Sequence, residues 1–505
     1  VLAEITSRAW YQYYDRLGFD PTPRPKIVRR HKGRVYFNLS LSAQLQADHA
    51  AVEPMPLQLN GQPYSLAKWE KPGFLAAFKF GRGQKRIDDS LNDYARQIAT
   101  ITETARAWYL KTQMIQRWGQ AEVLQIMEEI ERVGLESMAA FLAARTQLGQ
   151  HYARLFAEVA ANTGANQASL GINDAITRVP GLIETAMLDA LTPIAKSLNE
   201  PSTLHWLRAG NFADWRTELP NEAATEQIKA FVDAYGHRAL HEGEMAGPRW
   251  KEDATPIFAA LLAQAEASAS TPQNAPASNP AALLEKVPAA ARKQTEQSID
   301  KIIEGHKLQS SALHALAYIW AGTRTWALAA AREAMVDKRL EATGEVFHFE
   351  LEEIKQMMTG EWNISSRDEI RALLAQRQAE QIAIQQEIAP DILVGDQEAF
   401  ATQSGLAGVA GKASGPLHHL ETTTQTGEQG AIFATRSLDS GCVLALPVGA
   451  AFVAEAGTPC DPFVIAAHQW QRPVVVAFGK SYQQLADGAA TVVDARQDAV
   501  TVTQG

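Results

Sequence analysis

The sequence predicts a multi-domain chain in which a mostly α-helical region is followed by a small α/β domain. Three observations predict it. The 505 residues exceed what a single hydrophobic core usually serves. Apolar residues recur at spacings of three and four along several long stretches before residue 387. From Gly405 onward glycine and threonine rise, and the pattern changes to short β-branched runs.

The elements follow in order. Residues 1–80 read as a lead-in to the helical region: a short aromatic helix around Trp10 to Tyr14, a stretch with Pro21, Pro23 and Pro25, and a strand-like alternation over Gly33 to Ser40. Leu91, Tyr94, Ile98, Ile101, Ala105 and Trp108 then mark one face of a long helix. A second long pattern covers Ala121 to Val159 with Glu128, Glu129, Glu131 and Arg132 outward, and a third covers Leu182 to Leu198. Between 265 and 281 the composition turns to Ala, Ser, Pro, Asn and Gln, which reads as a linker inside the helical region of 81–387. Helical spacing resumes from Leu283 to Glu387, with breaks near Gly344 and between Gly360 and Ser366. Over 400–505, runs at Ala431–Ala434, Ala451–Ala454, Pro473–Phe478, Thr491–Val493 and Ala499–Val502 read as strands, and Pro462–Trp470 as a helix.

Composition narrows the functional classes. Acidic residues outnumber basic ones, 57 to 47, the wrong sign for a general nucleic-acid binder. Cys442 and Cys460 are too few for a disulfide framework and suit a cytoplasmic setting. The longest nearly apolar run, Cys442 to Ala454, is interrupted by Pro447 and predicts no membrane span. The chain begins at Val1, which suggests residues upstream. Gly81-Arg-Gly83 with Lys85 and Arg86 lacks the strand and helix that a phosphate-binding loop requires.

The densest chemistry lies in Tyr235-Gly-His-Arg-Ala-Leu-His-Glu-Gly-Glu-Met-Ala-Gly-Pro-Arg-Trp250. His237, Arg238, His241, Glu242, Glu244 and Arg249 crowd the end of a helical run. Three readings stay open: an ion-paired turn locking helices together, an anion or substrate site, and a metal site using His237 and His241. Gly243, Gly247 and Pro248 argue against a continuous helix that would hold two metal ligands. Trp108, Trp118, Trp206, Trp215 and Trp250 are candidates to stack on a flat ligand or to fill cores.

This stretch resembles the "YGHRGPGEIDIARPRW" signature of the phosphoenolpyruvate-utilising enzymes, which include phosphoenolpyruvate synthases and rifampin phosphotransferases. Tyr235, Gly236, His237, Arg238, Glu242, Ala246, Pro248, Arg249 and Trp250 match; Ala239, Leu240, His241, Gly243 and Gly247 depart, and Glu244 replaces an aspartate. Gly33 to Asn38 resembles the family's "GRVYxN", and Arg332-Glu333 with Val346–Phe349 and Leu351–Ile354 resembles "RE…DVFFLTxEEL". In that family the last domain swivels and carries a phosphohistidine in "EGGxLSHAAIVARE". Glu455 to His468 aligns with it, but Asp461 stands at the carrier histidine. Asp461 before Pro462 suits a helix N-cap; an aspartyl phosphate, and a general-base or polar contact made when the domain docks, are the other readings. Cys460 reads as a small buried filler, His468 as a remote alternative carrier, and His418-His419 as solvated loop residues.

The resemblance implies a substrate-binding helical region and a swivelling, phosphohistidine-like α/β domain. ATP and Mg would be bound by an ATP-grasp part outside this chain, as a further domain or subunit. The partner would be a small hydrophobic or aromatic molecule. It implies His237, Arg238, Glu242 and Asp461 as catalytic residues, and Glu244, Arg249, Trp250 and Arg332 as substrate-binding ones. With the carrier histidine lost, the expected activity is activation of that molecule for condensation, as in prodigiosin-synthetase-like relatives. The alternatives are a rifampin-type phosphotransferase and a non-catalytic pseudo-carrier.

Overall fold

The computed structural model describes residues 2–18, 27–41, 57–59, 62–64, 74–115, 118–267, 278–400, 405–423, 428–496 and 500–505. Pro21 to Pro25 and most of the linker lie outside the described residues.

Helix α1 (Leu2–Arg16) leads to a hairpin, β1 (Val28–His31) and β2 (Arg34–Phe37), turned by Lys32 and Gly33, both at positive φ. A second hairpin pairs β3 (Leu57–Leu59) with β4 (Gln62–Tyr64). Then come α2 (Phe74–Met114), α3 (Gln120–Thr163), α4 (Ala165–Ala175), α5 (Ile183–Ser197), α6 (Pro201–Ala209), α7 (Glu222–Tyr235) and α8 (Thr255–Ala267). After the linker follow α9 (Pro280–Glu285), α10 (Arg292–Val336), α11 (Leu351–Thr359) and α12 (Arg367–Gln386). The anticipated breaks fall at a 3-10 turn over Thr343–His348 and at Gly360, which closes α11 in the left-handed region.

Three helices of more than 40 residues, α2, α3 and α10, pack with α1 around the first core. The expected apolar face of α2 is the one buried: Leu91, Tyr94, Ile101, Ala105 and Trp108. Gly322 is needed where α10 meets α2, because a Cβ there would sit 2.3 Å from the Trp108 ring. Trp108 is therefore a core residue.

The C-terminal domain is a mixed seven-stranded sheet in the order β13-β12-β8-β9-β10-β11-β7. Its strands are β7 (Leu406–Val409), β8 (Lys412–His419), β9 (Ile432–Thr435), β10 (Ala451–Ala454), β11 (Val474–Val476), β12 (Ala490–Asp494) and β13 (Thr501–Gln504); β5 (Ile392–Val394) and β6 (Gln397–Ala399) form a hairpin before it. β8 to β11 run parallel, and β7, β12 and β13 are antiparallel to their neighbours. All residues of β9, β10 and β11 are buried, as expected of parallel strands covered on both faces. Helix α13 (Pro462–Gln469) lies against this sheet.

His418 and His419 are not loop residues. They end β8, where His418 meets Glu428 at 2.7 Å and His419 bonds Tyr482 at 3.0 Å. A second core runs without interruption from α3 to α8 into the sheet, joining Leu148, Leu188 and Phe258 to Phe433, Leu444 and Phe463.

Candidate functional site

The 235–250 loop is built from α7 outward. Asn221 caps α7 by accepting from the Ala224 amide at 3.0 Å, and the helix ends at Gly236. Only glycine fits at 236, because a Cβ would lie 2.4 Å from the Val232 carbonyl. The chain then doubles back: the Trp250 amide donates to Arg238 O at 2.8 Å and the Lys251 amide to Gly236 O at 3.0 Å. These two bonds pin the base of the loop.

Arg238, Glu242 and Arg249 turn inward. Arg238 is fully buried and Glu242 is 6% exposed; the guanidinium Nε donates to the Glu242 carboxylate, and Nη1 to His314 Nδ1 at 3.1 Å. Arg238 also lies 3.8 Å from Glu184, whose second oxygen accepts from Ser310 at 2.6 Å. Burial raises Glu242 to about 7 against the pull of Arg238, with Asp439 and Glu184 pushing the same way as burial. Arg249 is buried and holds the loop by donating to the carbonyls of Glu242 (3.1 Å) and Glu244 (3.3 Å). Burial, with Arg324 nearby, lowers it to about 10. Arg324 of α10 clamps the same lobe, paired with Glu252 at 2.8 Å and bonded to the Met245 carbonyl at 2.6 Å.

His237 forms a different surface. Its ring stacks on Tyr318 with centroids 3.6 Å apart and planes 13° from parallel, and Tyr109, Tyr235 and His314 complete an aromatic wall between α2, α7 and α10. Lys251 lies over the Tyr109 ring at 4.9 Å. Burial and the adjacent His314 and Arg238 hold His237 well below its ordinary range, so its imidazole is neutral. Its Nε2 has no hydrogen-bond partner among the described residues. Held neutral in this way, the ring is a weak base that can exchange a hydrogen bond at Nε2.

The loop's other edge meets the C-terminal domain. His241 Nε2 bonds Leu420 O at 2.8 Å and Nδ1 lies 3.6 Å from Asp439. Thr423 donates to Asp253. His237 and His241 thus serve opposite sides of the loop and are not joint ligands; among the described residues no group of three or more His, Cys, Asp or Glu side chains could hold a metal ion.

Asp461 sits elsewhere. It occupies the N-cap position of α13, with Pro462 next, yet its side chain does not cap the helix. The carboxylate turns back to accept from the Thr458 amide at 2.7 Å and from Arg145 at 2.7 Å. A guanidinium outbids a helix amide for a carboxylate, which is why the expected cap is replaced by an ion pair. Cys460 is a buried free thiol, and His468 pairs with Asp174 at 2.8 Å.

The structure brings His237, Arg238, Glu242, Arg249 and Trp250 together. It does not bring in the Glu244 side chain, which is exposed and bonds its own turn at Ala246, or Arg332, which is exposed on α10. Trp206 and Trp215 pack on Phe258 in the core, and Trp118 is partly buried against the first core. Sequence reasoning missed Glu184, His314, Tyr318, Arg324 and Arg145. Their one available signal was a polar residue interrupting an apolar helical face.

A model of the rifampicin phosphotransferase fourth domain matches residues 132–333. That stretch is similar to the fourth domain of rifampicin phosphotransferase, one of the phosphoenolpyruvate-utilising enzymes. No curated protein matches the chain. ATP belongs to that group's chemistry, but Gly81 to Gly83 lie inside α2 and form no phosphate loop. Among the described residues no helix is long and apolar enough to cross a membrane.

Proposed function

We propose that this chain is the substrate-holding part of an ATP-dependent small-molecule phosphotransferase of the rifampicin phosphotransferase type. One observation carries the reading: the matched stretch, 132–333, supplies nearly the whole buried site, from Glu184 through His237, Arg238 and Glu242 to His314 and Tyr318. Tyr109 and Asp439 come from outside it.

The wall of Tyr109, Tyr235, His237, His314 and Tyr318 suits a flat apolar ring, which gains from both burial and ring stacking. Transfer to a hydroxyl needs a group that orients it and cations that offset the charge on the moving phosphoryl. His237 orients the hydroxyl through Nε2 in this reading, since burial and the cations beside it leave the ring a weak base. Arg238 and Lys251 supply positive charge beside it. Glu242, titrating near neutrality, sets the net charge of the Arg238–Glu242 pair. ATP, held by a part outside this chain, supplies the phosphoryl group.

Activation for condensation, as in prodigiosin-synthetase-like enzymes, is a second reading. It is favoured by the carboxylate of Asp461, already engaged by Arg145, where a histidine relay would need its nucleophile. Supplying an ATP-grasp part, ATP labelled at both its β and γ phosphates, an aryl hydroxyl acceptor and a nucleophilic condensation partner separates the two. Stable label on the acceptor, lost in His237→Ala, supports phosphotransfer. Label released as free phosphate together with a condensed product supports activation, and an unlabelled, unchanged acceptor would overturn both.

A further inference from the structure

We infer that the C-terminal domain of this chain is permanently docked, a fixed wall of the helical region and not a swivelling carrier. The inference does not rest on the aromatic wall, and it requires that the ATP-holding part deliver its phosphoryl group to the acceptor directly and not through this domain.

A domain that detaches must present a water-tolerant surface to its dock, because each departure exposes that surface. Here the surface is apolar. Every residue from Pro462 to His468 is buried. One side of α13 packs on its own sheet, with Phe463 against Phe452 and Val464 over Gly408. Its other side packs on α4, α5 and α10. The 3-10 turn Ser440–Ala445 is likewise wholly buried, against α5 and α8. At Gly441 the two parts meet backbone to backbone: a Cβ would lie 1.6 Å from Ala239 O. Departure would uncover the whole Ser440–Ala445 turn, with Cys442, whose thiol donates to Leu240 O at 3.4 Å.

The edge of the sheet gives a second, independent line. β7 is an edge strand, and an uncovered edge leaves backbone groups that must find partners. Ala407 directs both of its groups at α4: its amide donates to Asn166 at 3.0 Å, and its carbonyl accepts from Ser169 at 2.5 Å. Asn173 donates to Gly408 O at 2.8 Å and to Pro459 O at 3.2 Å. All three side chains are buried. The carrier-like loop is gripped at both ends, Glu455 by Arg34 at 2.5 Å and Asp461 by Arg145 at 2.7 Å. Apolar contact supplies the strength, and these polar contacts fix the register.

Hydrogen exchange on the full chain, read by mass spectrometry, tests this without nucleotide or small molecule. Its failure is therefore distinct from failure of the phosphotransferase reading. Peptides over Leu406–Val409, Ser440–Ala445 and Pro462–Gln469 report the seam, and one over Ala451–Ala454 reports the inner sheet. A fixed wall opens only with the domain itself, so seam amides exchange within about tenfold of the inner strand. Exchange more than about tenfold faster at the seam, with Ala451–Ala454 still protected, would mean that an intact domain detaches, and would overturn the inference.

Discussion

Arg145, midway along α3, meets Asp461, at the head of α13, at 2.7 Å across 316 residues of chain. Thr458 completes the contact by giving its amide to one carboxylate oxygen and its hydroxyl to the other. This pair ties the Asp461 carboxylate to the helical region. As a nucleophile the carboxylate would first have to leave that guanidinium.

Asp461→Asn therefore keeps an acceptor for the Thr458 amide and loses only the ion pair. Both partners are partly exposed, 31% and 17%, so screening by solvent limits the expected loss to about 1 kcal/mol. Urea unfolding with an unchanged m-value checks it. The wild-type chain, with an ATP-grasp part and labelled ATP, is expected to show no hydroxylamine-labile acyl phosphate. Such a label, absent from Asp461→Asn, would make Asp461 a carrier.

Gly441→Ala should be costlier. Its methyl group would meet a backbone carbonyl, Ala239 O, which cannot swing aside as a side chain can. Overpacking of this kind costs about 1–3 kcal/mol or more. A stability equal to wild type in the same urea assay would show that the two parts are not pressed together at this point.

Two buried histidines, His237 and His306, and the half-buried His314 shape the acid response. His306 and His314 are lowered to about 3, and His237 well below its ordinary 6.5, each chiefly by burial. Each is neutral when folded and takes up a proton on unfolding, so its contribution is full above 6.5 and lost as pH falls. Glu242 has the opposite sign. Raised from 4.5 to about 7, its contribution is present at low pH and lost as pH rises through about 7. Between 4.5 and 6.5 these four groups leave a net uptake of two protons on unfolding. Stability then falls on acidification by up to about 2.7 kcal/mol per pH unit. Glu242→Gln should steepen the fall and His306→Asn should flatten it, both read from urea midpoints across that range.

Much of the frame was legible because helical periodicity survives in a single sequence. The apolar face from Leu91 to Trp108, the helix from Ala121 to Val159 and the helix after Pro180-Gly181 all follow it. β7 and β8 were not legible. Gly408, Gly411 and Gly415 weaken the strand signal, and they are there for close packing: a Cβ at Gly415 would lie 2.3 Å from Gly430 O. Half of the site was legible as the 235–250 cluster. The other half, Glu184, Ser310, His314 and Tyr318, lies 50 or more residues away and joins it only when α5 and α10 pack. The Asp461 side chain escaped for the same reason, since capping rules see the helix start and not Arg145.

The central claim is that the wall of Tyr109, His237 and Tyr318 holds a flat small molecule. Titrating the chain with rifampicin and with a naphthol, followed by quenching of intrinsic fluorescence, tests it most directly. The account predicts saturable binding of at least one probe, weakened about tenfold or more in Tyr318→Ala, which removes the ring stacked on His237. Equal affinity in Tyr318→Ala, or no saturable binding of either probe, would contradict it.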